Sequence, residues 1–298
     1  MKIVSLLPAA TEIICALGLR DALVGRSHEC DFPEDVVGLP TFTKARVEST
    51  LPSAELDAQV RRIVEERLPI YMLDEKHLAA LAPDVVVTQE ACEVCAISYD
   101  QVVASLRRTA PGARVVSLQP KHLPDVLRDV RTVADACGVG ARGETLAGQL
   151  QRRLAALSNP VVGEEKHPRV AVVEWLAPPM LAGHWVPETI AAAGGIAVGP
   201  RAGTASPYVS FEEIRGLRPD AVIVAPCGFD LERTVRESEP CLELLRGLAP
   251  RVLFMDGNAY LNRPGPRLVD AAETIAAWLR GQPLADPHVK DASATVVA

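Results

Sequence analysis

The feature that most constrains this chain is that it is written twice. Leu81-Ala82-Pro83-Asp84-Val85-Val86-Val87 returns as Leu217-Arg218-Pro219-Asp220-Ala221-Val222-Ile223. In each copy a short helix precedes the shared motif. Asp74 is placed to cap a helix over Glu75 to Leu81, and Ser210, with Glu213 three residues on, forms a capping box for Phe211 to Leu217. Proline then stops the helix, and the β-branched run after it is the pattern of a buried strand. A second pair of strands follows in the same order, Arg114 to Leu118 and Arg251 to Met255. The openings correspond as well: Lys2-Ile3-Val4-Ser5-Leu6 with Arg169-Val170-Ala171-Val172-Val173, and their first helices end at Ala16-Leu17-Gly18 and Ala192-Ala193-Gly194.

Continuous apolar strands alternating with helices specify parallel sheets covered on both faces. Two copies therefore specify an α/β chain of two Rossmann-like lobes, the first over 1–120 and the second over 161–282. Between them, 121–160 carries Leu123, Val126, Leu127, Val130 and Val133, then Leu146, Leu150 and Leu154, at helical spacing broken by Gly138 and Gly140. The second piece is expected to be a connecting helix, stiff enough to keep any closure of the lobes small. The tail, 283–298, is polar, Ala-rich and aperiodic, and is expected to be disordered.

Of 298 residues, 48% are hydrophobic and 23% charged, ordinary globular proportions, and the net charge of -7 argues against a nucleic-acid partner. No apolar run reaches the about 18 residues of a membrane span, so the chain is not expected to be membrane-embedded. The opening Met1 to Pro8 could pass for a leader, but Pro8 and Glu12 interrupt it and no small-x-small site follows. A strand over Lys2 to Leu7 and a helix from Thr11 explain it better, and a cytoplasmic location is the expectation. Seven cysteines, an odd number, suit reduced thiols or metal ligands. No Gly-x-Gly-x-x-Gly, Walker A or Gly-x-Ser-x-Gly pattern occurs, so nucleotide binding and α/β-hydrolase chemistry lack support.

Open parallel sheets bind ligands beyond the carboxyl ends of their strands. The segments that fall there are Pro8-Ala9, Ser27-His28-Glu29-Cys30-Asp31, Gln89 to Cys95, Glu174-Trp175, Gly183-His184-Trp185, Pro226 to Phe229, and Asp256 to Arg267. They hold two of three Trp and four of seven Cys, a concentration that favours a working site. Cys92-x-x-Cys95 is half of a chelate, and His28 with Cys30 would complete a Cys₃His set for Zn or Fe. The same spacing also suits a redox dithiol, and inert thiols are the third reading. Cys15 and Cys137 lie on apolar helix faces and read as packing. With Glu29, Asp31, Glu90 and Glu93 around a metal, a metal-dependent enzyme is the rival class of function.

Five segments carry a family resemblance over nearly the whole chain: Ser5 to Glu12, Ser27-His28-Glu29-Cys30-Asp31-Phe32-Pro33, Cys92-Glu93-Val94-Cys95, Gly183-His184-Trp185-Val186-Pro187-Glu188, and Asn262-Arg263-Pro264-Gly265-Pro266-Arg267. With them the chain resembles the helical-backbone (class III) substrate-binding proteins of cobalamin and iron-siderophore ABC transporters, and within these a leaderless branch of cobalamin-binding proteins. The resemblance implies a corrinoid held in the cleft between the lobes, no catalytic residues, and an ABC permease or a corrinoid-using enzyme as partner. A corrin is a broad apolar disc fringed with amides. On this reading Trp175, Trp185, Phe229 and Tyr260 supply a flat wall, and Asn258 and Asn262 pair with the amides. His184 ligates cobalt or hydrogen-bonds the rim, and Arg263, with Arg267, meets the phosphate of the nucleotide loop. Pro8 and Ala9 join the set from the first lobe. Lobe packing remains the alternative for Trp175, a core-satisfied histidine for His184, and salt bridges at a helix start for Arg263 and Arg267; haem, siderophores and metal ions are the alternative ligands of the superfamily.

Overall fold

The computed structural model describes residues 1–89, 99–107, 110–157 and 167–293. The chain divides into two compact units: Met1–Leu51, Glu55–Pro120 and Pro124–Gln149 form the first, and Pro52–Ala54, Lys121–Leu123 and Leu150–Ala298 the second.

The first unit runs β1 (Ile3–Ser5), α1 (Pro8–Ala16), β2 (Leu23–Arg26), β3 (Thr43–Ala45), α2 (Ser53–Glu65), β4 (Tyr71–Leu73), α3 (Glu75–Leu81), β5 (Val85–Gln89), α4 (Tyr99–Leu106), β6 (Arg114–Leu118) and α5 (Leu123–Ala136). Helix α6 (Gly140–Leu157) follows, and the division between the units falls within it. Four parallel strands form one sheet in the order β2-β1-β5-β6, and β3 pairs with β4 antiparallel. All of β1 and β5 is buried, the burial expected of inner strands covered on both faces. Val4, Leu6, Phe42, Leu78, Val86, Val102 and Leu106 pack together as one core cluster. Helix α1 begins at Pro8, earlier than Thr11, because proline at the first helical position gives up an N–H that has no intrahelical acceptor there.

The second unit contains β7 (Arg169–Leu176), β8 (Pro179–Leu181), α7 (Val186–Ala192), β9 (Ile196–Ala197), α8 (Phe211–Gly216), β10 (Ala221–Val224), α9 (Leu231–Ser238), α10 (Leu242–Arg246), β11 (Arg251–Met255), α11 (Arg267–Leu279) and β12 (Val289–Asp291). Its parallel strands lie in the order β9-β7-β10-β11, which repeats the order of the first unit. Two antiparallel strands are added, β8 against the end of β7 and β12 beyond β11. Ala171, Val173, Val222, Val224, Val252 and Phe254 from the strands pack with Ile214 and Leu245 from the helices.

The doubled motif is the same object in both units. Asp74 accepts from the His77 N–H at the start of α3, and Ser210 and Glu213 make a reciprocal capping box at α8. The residue before each proline takes a left-handed turn, Ala82 at φ 47° and Arg218 at φ 49°. The basic residue opening each unit's first strand then caps the helix end. Lys2 Nζ donates to the Leu81 carbonyl at 3.0 Å, and Arg169 donates to Leu217 and Arg218 at 2.7 and 3.1 Å.

The expected disorder over 283–298 does not hold up to Ser293. This stretch turns back along the sheet edge and forms β12, with Leu253 opposite Asp291 and Met255 opposite Val289. Acidic side chains in it find partners distant in sequence, which aperiodic sequence does not reveal: Asp286 is bonded by Tyr260 and Thr274, and Asp291 by Trp278.

Candidate functional site

Strand order reverses between β7 and β10 in the second unit, which makes the carboxyl ends of these strands the switch point where open α/β sheets take ligands. Three chain segments are joined there. The Cys227 N–H donates to the Glu174 carbonyl at 3.0 Å, the Asn258 N–H to the Phe229 carbonyl at 3.0 Å, and the Asn262 side-chain amide to the Ala225 carbonyl at 3.0 Å. Gly257 has no room for a side chain, since a Cβ would overlap the Pro226 carbonyl oxygen. Trp175, half-buried at the end of β7, sits 5.2 Å from the Phe229 ring in a tilted pair. The Arg233 guanidinium lies 3.7 Å from the centroid of the Phe229 ring.

The expected site residues separate into two groups. Trp175, His184, Asn258 and Asn262 are partly exposed. Trp185, Phe229, Tyr260 and Arg263 are buried, at 8%, 1%, 6% and 5% exposure. The Trp185 indole donates to the Leu261 carbonyl at 2.8 Å, so its ring is fixed under the 256–263 loop and does not stand as an open wall. Arg263 donates to the Asn258 side-chain oxygen at 2.8 Å and orients an amide at the rim. The Tyr260 hydroxyl donates to Asp286 at 2.7 Å, and burial pushes this phenol's pKa up.

His184 is the most constrained of the exposed group. Its backbone is left-handed at φ 49°, a conformation uncommon outside glycine, held by its N–H to Thr204 at 2.7 Å and its carbonyl from Gly203 at 2.9 Å. Its Nδ1 is buried with no hydrogen-bond partner. Burial, followed by the nearby Lys121 charge, holds its pKa below the ordinary histidine value and favours the neutral ring. The unpartnered Nδ1 faces the protein interior, so contact with a ligand from the partly exposed side of this ring would fall to the other ring nitrogen.

In the first unit, Ala9 is buried and Pro8 half-buried at the start of α1. The loop after β2 is organised by a residue the sequence did not single out. Buried Arg26 donates to the carbonyls of Ser27, Cys30 and Val37 at 3.0, 3.0 and 2.7 Å. His28 Nδ1 lies 2.6 Å from Thr43 Oγ1, and burial lowers its pKa, ahead of the opposing effect of Glu29. The Cys30 thiol is buried at 1% exposure and accepts from the Thr11 hydroxyl at 3.0 Å. These engagements do not support the expected metal set. Among the described residues no three His, Cys, Asp or Glu side chains are grouped to hold an ion. Cys92 and Cys95 lie outside the described residues.

Residues 3–239 match the sequence model of the family described as periplasmic binding protein. The chain belongs to this family. It is 22% identical over 282 residues to a vitamin B12-binding protein of Vibrio cholerae serotype O1, covering 94% of this chain and 89% of that one. Among solved structures, the periplasmic vitamin B12 binding protein of Vibrio cholerae is similar at a TM-score of 0.66 and 20% identity, covering 94% of this chain and 96% of that one. A periplasmic heme binding protein from Pseudomonas aeruginosa is similar at a TM-score of 0.72 and 21% identity, with 99% and 98% covered. The fold is thus that of the periplasmic binding proteins, and these relatives are named for a ligand and not for a reaction. Among the described residues no helix is long and apolar enough to cross a membrane.

Proposed function

We propose that the chain binds a cobalamin-type corrinoid without transforming it, using the switch-point loops of the second unit, and passes it to an ABC permease or a corrinoid-using enzyme. The observation that carries this reading is the joining of three strand-end segments behind a partly exposed Trp175. A half-open indole packed on Phe229, with two partly exposed amide side chains on the segment bonded to the same strand end, suits a flat apolar disc with an amide fringe. The vitamin B12-binding relative, aligned over most of both chains, supports the choice of ligand. Titration calorimetry with cyanocobalamin should give a Kd tighter than about 10 μM, roughly 7 kcal/mol. No heat and no spectral change with several corrinoids would overturn the reading.

Haem is the second reading, favoured by the partly exposed imidazole of His184, which burial keeps neutral, and by the heme binding neighbour. The visible spectrum after mixing with haemin or cyanocobalamin decides between them, because axial nitrogen ligation shifts the haem bands. Replacing His184 by Ala should remove such a shift.

A further inference from the structure

We propose that the C-terminal strap, 282–293, is a positioning element for the binding loop, 256–263, and that Asp286 is its anchor. The proposal rests on the reading that this loop contributes Asn258 and Asn262 to the ligand site. One Asp286 carboxylate oxygen accepts from the Tyr260 hydroxyl in the loop and from the Thr274 hydroxyl on α11, both at 2.7 Å, while the other accepts from the His288 N–H at 2.9 Å. A single side chain therefore ties loop, helix and strap together. Burial pushes the Asp286 carboxyl upward, but the hydrogen bonds from Tyr260, His288 and Thr274 outweigh it and hold its pKa below the ordinary value, which keeps it the acceptor.

The strap grips the loop at a second point. The Asp256 N–H donates to the His288 carbonyl at 2.8 Å, and His288 Nδ1 lies 3.1 Å from an Asp256 carboxylate oxygen. The other Asp256 oxygen accepts from the Ala259 N–H at 2.7 Å, which starts the turn leading into Tyr260. The rings of Tyr260 and His288 pack 5.1 Å apart. From Tyr260 the constraint reaches the rim, since its carbonyl accepts from the Arg263 N–H at 3.2 Å and Arg263 holds the Asn258 amide. Asp286 touches neither Asn258 nor Asn262 in any of these bonds. It acts through Tyr260, as a positioning residue.

The test compares three variants of the full chain, with cyanocobalamin and haemin as probes. In Asp286→Ala, amide exchange over 256–263 should quicken and the Kd of whichever probe binds should rise about tenfold, the usual effect of losing pre-organisation at a site. Asp286→Asn keeps an acceptor for the Tyr260 hydroxyl and should stay within about threefold of the parent. Asp291→Ala breaks the bond to Trp278 at the far end of the strap, away from the loop contacts, and should lower stability while leaving Kd and loop exchange unchanged. Equal losses of affinity in Asp286→Ala and Asp291→Ala would reduce the effect to general stability and overturn the proposal. So would an unchanged Kd in Asp286→Ala when the parent binds. If the parent binds neither probe, the ligand reading fails separately, and loop exchange alone decides on the strap: unchanged exchange in Asp286→Ala overturns it.

Discussion

The carboxylate of Asp84 accepts a hydrogen bond from the backbone N–H of Lys2 at 2.6 Å, and Asp220 makes the same bond to Arg169 at 2.8 Å. The return bonds are also paired, Asp84 N–H to Lys2 at 2.9 Å and Asp220 N–H to Arg169 at 2.8 Å. Each Pro-Asp motif thus fixes where the first strand of its unit enters the sheet. Both carboxylates are solvent-exposed, so their charge contributes little. Asp84→Ala and Asp220→Ala should each lower unfolding free energy by about 1 kcal/mol in urea titration, with the Asn variants losing less.

Asp129, on α5, is buried at 4% exposure, and burial pushes its carboxyl up to about 7, with the adjacent Arg128 opposing and Asp125 adding to the shift. Its pKa in the folded chain thus lies above the ordinary 3.8. Between those values the folded chain keeps a proton that the unfolded chain has released, so stability falls as pH rises and the loss is complete above the folded pKa. Asp129→Asn should therefore be more stable than the parent by about 2 kcal/mol at pH 8, and the difference should close near about pH 4.

Trp175 and Trp185 should respond in opposite ways. Trp185 is buried and bonded to Leu261, so Trp185→Ala should lower stability by about 3 kcal/mol or more. Trp175 is partly open, and Trp175→Ala should raise the Kd for cyanocobalamin about tenfold at little expense in stability. Thermal unfolding and calorimetry on both variants check the pair.

Arg26 should tolerate no substitution. Arg26→Ala strips donors from three buried or half-buried carbonyls and should lower stability by about 3 kcal/mol while quickening amide exchange over 27–37. Arg26→Lys should rescue little, because an ammonium cannot reproduce the spread of a guanidinium.

What was legible in the sequence was what is encoded locally. The caps at Asp74 and Ser210 and the strands Arg114–Leu118 and Arg251–Met255 each depend on neighbours a few residues away. The short strands β3, β4, β8, β9 and β12 carry too few residues for a period to show, and their pairing is set by distant partners. The candidate site was legible as loops after the strand ends, but the engagements of its side chains were not. Tyr260 has the composition of a ligand wall, yet its hydroxyl belongs to Asp286. Arg26 looks like an ordinary strand end, and only the folded loop shows the carbonyls it collects.

Cys227 follows the end of β10, next to the backbone bond that joins Glu174 to it, and among the described cysteines it is the exposed one. Its position offers an optical reporter. A thiol-reactive fluorophore there would sit on the bond partner of Glu174, Trp175's neighbour, and two residues from Phe229. Corrinoids and haem both absorb strongly in the visible, so energy transfer would darken the dye as either ligand arrives. Binding at the proposed site could then be followed in real time, once the partly exposed Cys15 and Cys241, with Cys92 and Cys95, have been replaced so that the label has a single address.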